Sequence, residues 1–409
     1  MTRLIYAIAT MDTKGEEIAF VRDCVRRAGC EVKTVDVGTQ SPPTVEPDIS
    51  RAVVVGQAGF VREHADRGQA VAAMSDALTR YLVSQYEAGQ LAGIIGIGGS
   101  GGTALITAAM RALPIGLPKL MLSTVASGNT APYVDSSDIT MMYSVVDVAG
   151  LNAVSRRILA NAAHAMAGMV QHDAPVAESR PAIGMTMFGV TTPCVTAVRA
   201  SLSERGFDCL VFHATGAGGR AMEKLVDSGL IRGVLDITTT EVADEVVGGV
   251  FPAGAERFDK IIDRQIPYVM SLGALDMVNF GAMETVEKRF ANRRLHVHNA
   301  QVTLMRTTPE ENREFARWIA RKLNRATAPV VILIPEKGVS MIDAPGQPFY
   351  DPAANKSLFD ELESCLHQDE IRRIVRLPYH INDGPFAEHL VNEFLRLQER
   401  CFKTHAKAQ

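Results

Sequence analysis

Short apolar runs of four to seven residues alternate along the chain with longer stretches in which apolar residues recur at helical spacing. The run "GIIGI" (Gly93 to Ile97) precedes a helical pattern over Thr103 to Arg111, and "APVVILIP" follows one in "TPEENREFARWIARKL". Such alternation is typical of βαβ units, whose parallel strands are buried between helices. The pattern predicts an α/β protein with doubly wound, mostly parallel sheets.

The two halves of the chain repeat one pattern of strand, polar loop, helix and strand. Four residues recur 177 positions later: Ile18, Val21, Val25 and Gly29 match Val195, Val198, Leu202 and Gly206. The apolar three lie on one helix face, and the glycine falls where the helix ends. Between the halves, "VQHDAPVAESRPAIG" is polar and contains two prolines, as linkers do. We therefore expect two Rossmann-like domains related by an internal repeat, residues 1–177 and 178–409.

Two further helices are predicted in more detail. Gly68 to Tyr86 has helical periodicity. In the second half, Thr308 precedes Pro309 and stands three residues before Glu311, which is the pattern of a capping box at a helix start. Beyond these helices, "IRRIVRLP" and "AEHLVNEFLRLQER" predict a last strand and helix.

Composition narrows the class of partner. Of 409 residues, 47% are apolar and 22% charged, with a net charge of −4 and no dense Lys/Arg cluster, so we expect no binding to nucleic acid. No apolar run reaches the roughly 20 residues that span a bilayer, and the polar start of the chain predicts a cytoplasmic location without membrane contact. The six cysteines lack CxxC spacing, which argues against a zinc knuckle or a redox pair.

A glycine-rich loop is the main candidate for ligand binding. Gly96, Gly98 and Gly101 satisfy G-x-G-x-x-G between a predicted strand and a predicted helix. Unblocked backbone N–H groups and the positive end of a helix dipole together bind phosphate well. The alternative is that these glycines only permit close packing and a sharp turn.

The surrounding residues favour a mononucleotide or a phosphorylated metabolite over NAD. No Asp or Glu occurs between Gly101 and Asp135, whereas an NAD site needs one at the end of the next strand. That strand ends instead in "STVASGNT", a hydroxyl-rich loop expected beside the first. A Walker motif is excluded because its lysine is missing. If ATP binds, Lys14 is the best substitute, and Asp12 or Asp36 could hold Mg²⁺ through water.

The predicted nucleotide-binding residues come from four segments. They are Asp12, Thr13, Lys14, Asp36, Gly98, Gly99, Ser100, Gly101, Gly102, Thr103, Ser123, Thr124, Ser127, Gly128 and Asn129.

The second half offers polar residues directly after buried strands, where α/β enzymes place acid and base groups. The candidates for catalysis are Asp276, His298, Glu336 and Ser340. The turn "GAGGR" with Arg220 could grip an anion or could be an ordinary turn. His296 and His298 stand at strand spacing, but this spacing alone does not fix a metal geometry, so a metal site stays undetermined.

Several motifs together resemble one family: "IATMDTKGEE", "GIGGSGGT", "STVASGNTAPYV", "GMTMFGVTTPCV", "DITTTEVADEVVGG", "GALDMVNFGA" and "EKGVSMIDAPGQPFYDP". The sequence resembles the Tm-one-like ATP-binding family, bacterial proteins related to the tomato mosaic virus resistance protein, over essentially its full length. This resemblance implies an ATP-binding first domain and a homodimer. It implies no settled reaction.

Three functional hypotheses follow. The first is an enzyme that uses Mg-ATP on a small anionic metabolite in a cleft between the domains. The second is a non-catalytic nucleotide sensor whose closure alters partner binding. The third is an ATP-independent lyase or hydrolase of a phosphorylated sugar acid, with the glycine loop holding the phosphate of the substrate.

Overall fold

The computed structural model describes residues 3–56, 67–172 and 180–405. The chain divides into two units, Met1–Val176 and Ala177–Gln409. Each unit has its own sheet, and the polar linker predicted at Val170 to Gly184 falls between them, with residues 173–179 outside the described part.

The first unit is a five-stranded sheet covered by helices on both faces. Its strands are β1 (Leu4–Ala9), β2 (Val32–Asp36), β3 (Leu91–Gly98), β4 (Lys119–Ser123) and β5 (Thr140–Tyr143), and its helices are α1 (Met11–Arg27), α2 (Arg51–Val55), α3 (Arg67–Glu87), α4 (Ser100–Arg111), α5 (Ala131–Val134) and α6 (Ala153–Gln171). All pairs are parallel, in the order β2-β1-β3-β4-β5. One apolar layer packs beneath α1 and α6 and another beneath α3 and α4.

The order of strands in this sheet creates a ligand-binding position. The chain runs from β1 outward to β2 and then returns to place β3 on the other side of β1. The loops that follow β1 and β3 therefore diverge at the carboxyl edge of the sheet. Open α/β sheets bind ligands at this reversal point, as in the flavodoxin-like order 2-1-3-4-5.

The second unit carries a six-stranded parallel sheet and a small antiparallel one. Its strands are β6 (Ala182–Met187), β7 (Asp208–His213), β8 (Val234–Thr238), β9 (Tyr268–Gly273), β10 (Met277–Phe280), β11 (Leu295–Asn299), β12 (Val302–Arg306), β13 (Val330–Pro335) and β14 (Arg372–Leu377), and its helices are α7 (Thr192–Glu204), α8 (Ala217–Asp227), α9 (Thr240–Val247), α10 (Asp259–Asp263), α11 (Pro309–Leu323), α12 (Pro352–Cys365) and α13 (Gly384–His405). The large sheet has the order β7-β6-β8-β9-β13-β14.

The predicted fold class is confirmed. The first five strands of the large sheet, β7-β6-β8-β9-β13, repeat the order β2-β1-β3-β4-β5 of the first unit. Two Rossmann-like, doubly wound sheets are therefore related by an internal repeat. The second unit adds β14 at one edge and inserts the antiparallel order β10-β12-β11 between β9 and β13.

Helix ends agree with the local chemistry of the sequence. The Thr308 side chain accepts a hydrogen bond from the Glu311 amide at 3.2 Å, and the Thr308 amide donates to Glu311 Oε2 at 2.8 Å, so the predicted capping box is present. Helix α4 begins three residues earlier than predicted, because Gly99 already has the extended conformation of an N-cap.

Candidate functional site

Two glycines of the glycine-rich loop are explained by packing. A Cβ atom at Gly96 would lie 2.6 Å from Met121 Sδ of β4 and 2.7 Å from Ile106 Cγ2 of α4. A Cβ at Gly98 would lie 3.1 Å from the backbone of Gly102. A side chain at Gly96 would force its neighbours to move, and one at Gly98 would be tightly packed, whether or not a ligand binds.

Three other glycines have no such explanation. A Cβ at Gly101 would meet no atom within 4 Å, and those at Gly99 and Gly102 would meet their nearest atoms at 3.8 and 3.9 Å. None of the three has a φ in the left-handed region. Neither packing nor backbone conformation therefore requires glycine at these positions. Because glycine has no side chain, the backbone there is accessible.

The accessible backbone is the start of a helix. Helix α4 has no side-chain cap and no acidic residue in its first turn, and Ser100 and Gly101 are exposed. The first amides of a helix have no partner within the helix, and the helix dipole places partial positive charge there. This end of α4 is therefore suited to an anion.

The two predicted phosphate loops lie side by side. Gly98 pairs with Ser123 across β3 and β4, and the Thr124 amide donates to the Gly98 carbonyl at 3.3 Å. The hydroxyl oxygens of Thr103 and Ser123 are 2.6 Å apart. Further along the second loop, Ser127, Gly128 and Asn129 are exposed.

The segment after β1 completes this edge of the sheet, because β1 is the other neighbour of β3. Helix α1 begins there but departs from helical geometry at Lys14, with φ −127° and ψ 23°. Among the described residues, the Lys14 ammonium makes no hydrogen bond or ion pair, and Thr13 is exposed. Asp12 is half-buried, and its Oδ2 accepts from the amides of Gln40 and Ser41 at 3.2 and 3.4 Å.

Asp36, also a predicted cofactor residue, makes hydrogen bonds and an ion pair within the first unit. Its Oδ1 accepts from the amides of Met11 and Gly38 at 3.1 and 2.8 Å, and its Oδ2 pairs with Arg51 Nε at 2.6 Å. Its exposed fraction is 1%. Asp36 therefore ties the loops after β1 and β2 together, whereas Asp12 is only half-buried.

The second unit fills the position that corresponds to the glycine loop. After β8, Thr239 and Thr240 are completely buried. The Thr239 amide donates to the Gly273 carbonyl at 2.9 Å, and the Thr240 hydroxyl donates to the Met277 carbonyl at 3.4 Å. The segment after β9 thus covers the loop after β8, whereas Ser100 and Gly101 of the first unit are exposed.

The "GAGGR" turn is also occupied, by a side chain of the same unit. The amides of Gly216 and Gly219 donate to Glu241 Oε1 at 2.7 and 3.1 Å. A Cβ at Gly218 would lie 1.9 Å from the His213 carbonyl oxygen, so close packing requires that glycine. The amides of this turn therefore bind a carboxylate of the same unit. This agrees with the interpretation of "GAGGR" as an ordinary turn.

Glu241 belongs to a buried charge cluster that sequence reasoning missed. Arg257 Nε, Nη1 and Nη2 donate to Glu241, Glu223 and Asp236, all at 2.9 to 3.0 Å. Burial raises the pKa of Glu223 and of Glu241, and the charge of Arg257 opposes the rise. The three acids lie on α8, β8 and α9, so no short sequence motif predicts the cluster.

Two of the four predicted catalytic residues lie together. The Ser340 hydroxyl donates to Asp276 Oδ2 at 2.7 Å, while Asp276 Oδ1 and Asp343 Oδ1 have no hydrogen-bond partner in the described part of the chain. Burial, then the charge of Asp343, raises the pKa of Asp276 to about 7. Asp276 and Ser340 are at most 1% exposed, so both side chains are enclosed by the second unit.

The other two predicted catalytic residues lie elsewhere. His298 is exposed on β11, and Glu336 is exposed just after β13, 3.7 Å from Arg376. Neither contacts Asp276 or Ser340. His380 is closer, with its Nε2 2.9 Å from the Ser340 carbonyl oxygen.

The described residues include no group of three or more His, Cys, Asp or Glu side chains arranged to hold a metal ion. Across the same residues, every helix is too short or too polar to cross a bilayer.

A groove of 590 Å³ lies at the opposite, amino edge of the first sheet, lined by Arg3, Tyr86, Leu91, Pro118 and Val170. Beside it, Lys119 is fully buried, with its ammonium 2.7 Å from Asp138 and 2.6 Å from the Pro114 carbonyl. The groove is thus remote from the glycine loop, and its buried lysine is already paired.

The fold and the open edge of the first sheet define a two-unit α/β protein with flavodoxin-like strand order. The chain belongs to the family described as "Uncharacterised protein family (UPF0261)", whose N-terminal domain model matches residues 3–175 and whose C-terminal domain model matches residues 180–398.

Relatives cover nearly the whole chain. A UPF0261 protein of Rhizobium meliloti is 56% identical over 95% of this chain and 97% of its own length. A UPF0261 protein of Clostridium tetani is 46% identical over 98% of this chain and all of its own length. The ToMV resistance protein Tm-1 of Solanum lycopersicum is 46% identical over 97% of this chain, which spans 56% of that protein. The resemblance to Tm-1 relatives is thereby confirmed.

Proposed function

We propose that the first unit binds ATP, with the phosphate groups at the edge formed by the loops after β1, β3 and β4. One observation carries the proposal: Gly99, Gly101 and Gly102 leave the amides at the start of α4 accessible although neither packing nor φ requires glycine there. Such amides bind phosphate oxygens through hydrogen bonds and the helix dipole.

The second unit supplies an internal comparison. Its corresponding loop is filled by Thr239 and Thr240, and its own glycine turn holds Glu241. The same strand order therefore occurs with this edge closed by contacts within the unit itself. In the first unit the amides at the start of α4 have no side-chain cap, which supports the proposal that a ligand binds them.

Charge complementarity supports a polyphosphate. Lys14 follows the strand adjacent to the glycine loop and has no partner among the described residues, which suits it to an outer phosphate. Mg²⁺ prefers phosphate and carboxylate oxygens and retains several waters. Mg²⁺ would arrive on ATP and contact Asp12 through water.

The test is a charge reversal that leaves the fold intact. In Gly101→Glu the new side chain enters open space, and a carboxylate in the first turn of a helix is favourable, so the melting temperature should not fall. The same charge repels phosphate. The control is Gly189→Glu in the second unit, whose Cβ also meets nothing within 4 Å.

Isothermal titration of Mg-ATP measures the outcome. Wild type and Gly189→Glu should bind, and Gly101→Glu should lose at least tenfold in affinity, about 1.4 kcal/mol. Equal affinity in all three proteins would show that ATP does not use this loop. Absence of binding to wild type would refute the proposal.

We further propose that the protein is an enzyme that uses the bound Mg-ATP on a small anionic metabolite. A melting screen over nucleotides and sugar acids tests this against the other hypotheses, since a ligand at 100 times its Kd adds about 2.7 kcal/mol to stability. Stabilisation by a sugar phosphate and not by ATP favours the ATP-independent lyase or hydrolase. ATP binding with no turnover on any metabolite favours the nucleotide sensor. Light scattering tests the homodimer that the family resemblance implies.

A further inference from the structure

An exposed valine has a strained backbone at the carboxyl edge of the first sheet. Val145 has φ 63° and is 59% exposed. The Val146 amide donates to the Ser144 carbonyl at 2.7 Å, which closes a γ-turn around Val145. A γ-turn with positive φ is rare and strained, and a β-branched residue with positive φ is an outlier.

The turn is held in place by hydrogen bonds to its surroundings. The Ser144 hydroxyl donates to the Val146 carbonyl at 2.7 Å, and the Ser144 amide donates to the Ser123 carbonyl at 3.2 Å. Ser123 in turn contacts Thr103 of α4. The strained turn is therefore connected directly to the loops proposed to hold phosphate.

A second exposed apolar side chain precedes the turn. Tyr143 is 42% exposed and is the last residue of the edge strand β5, where it pairs with Ser123. From β3 to β5 is two strand spacings, about 10 Å. Tyr143 and Val145 are thus two exposed apolar residues at the same edge as the glycine loop, displaced sideways from it, and together they are called the patch.

We propose that the patch of Tyr143 and Val145 contacts the base of the bound nucleotide, while the glycine loop holds its phosphates. This inference rests on the proposed function. The patch lies to the side of the phosphate edge, where a nucleoside extends from its phosphates, and aromatic or apolar side chains bind any base through its face. Backbone strain of this kind clusters at active sites and ligand-binding sites.

The experiment compares two ligands that share phosphates and differ in the base. Mg-ATP and Mg-tripolyphosphate are titrated into wild type, Tyr143→Ala, Val145→Gly and the double variant. Tyr86→Ala and Val154→Ala are matched controls, because these side chains are 41% and 47% exposed and lie outside the patch. Melting temperature and light scattering are recorded for each protein.

We expect the double variant to bind ATP about tenfold more weakly, as loss of base stacking does elsewhere, with tripolyphosphate affinity unchanged. Unchanged ATP affinity in the double variant overturns the inference and leaves the proposed function intact. Equal weakening of both ligands overturns it too, since the patch would then act on the phosphate loops. A dimer that dissociates while ATP affinity holds assigns the patch to a second copy of the chain. If neither ligand binds wild type, the proposed function fails first.

Discussion

Replacing Asp276 by Asn should make the second unit more stable at alkaline pH. Asp276 is fully buried, its Oδ2 accepts from Ser340, and its Oδ1 has no hydrogen-bond partner in the described part of the chain. Burial, with the charge of Asp343 added, raises its pKa to about 7. The folded protein thus keeps this carboxyl protonated at pH values where the unfolded chain has lost the proton.

The sign of the effect follows from proton binding. Between the unfolded pKa of about 4 and the folded pKa, the folded state holds one more proton, so stability falls as pH rises and levels off above the folded pKa. From about pH 5 to about pH 7 this is two units at 1.36 kcal/mol each, or about 3 kcal/mol. Asn keeps the shape and cannot ionise, so Asp276→Asn removes this dependence.

Urea unfolding at about pH 5 and about pH 8 measures the effect. The wild type should lose about 3 kcal/mol more than Asp276→Asn between the two pH values. Asp208→Asn, an exposed carboxyl in β7, is the control and should behave as wild type. Because other buried acids such as Asp244 also titrate, only the difference between proteins is interpreted. Parallel pH dependence in wild type and Asp276→Asn would refute the reasoning.

Three further predictions concern stability. Gly96→Ala should destabilise the first unit by about 1–3 kcal/mol, because its Cβ meets Met121 and Ile106, whereas Gly101→Ala should not; equal melting temperatures would contradict this. Glu241→Ala should cost about 3–5 kcal/mol in urea unfolding, since it leaves Arg257 Nε and the amides of Gly216 and Gly219 buried without a partner. Thr308→Ala should cost about 1 kcal/mol through loss of the cap on α11, and Thr308→Ser should restore most of it.

The parallel architecture could be predicted from sequence because buried strands leave a strong pattern. A strand covered by helices on both faces is apolar throughout, as in "VVILIP", and the 177-residue offset showed that the pattern recurs. The strands of the antiparallel insert have a weaker sequence pattern. Its strands have four or five residues, and β10 pairs with β12 across a long intervening segment, Met277 with Arg306. Local periodicity does not carry register over such a distance.

The candidate site could be predicted only in part. The sequence shows how many glycines the loop contains, but not which of them packing requires. That depends on the space around each glycine, which is set by the positions of α4 and β4. The same limitation applies to His298 and Glu336, which follow the pattern of polar residues near strand ends. His298 lies in the antiparallel insert, and Glu336 faces Arg376. Proximity in sequence to a strand end did not bring them to Asp276.

Under the proposed function, residues near strand ends have opposite roles in the two units. In the second unit Asp236, Glu241 and Asp276 are buried and hydrogen-bonded to their own unit, so substitution there should act on stability. In the first unit Ser100 and Gly101 are exposed and leave helix amides accessible, so substitution there should act on ligand affinity. Since both units have the same strand order, the difference lies in the side chains at the carboxyl edge. Measuring melting temperature and ATP affinity for the same variants separates the two roles. A Gly101→Glu protein that loses stability but keeps ATP affinity would reverse the assignment.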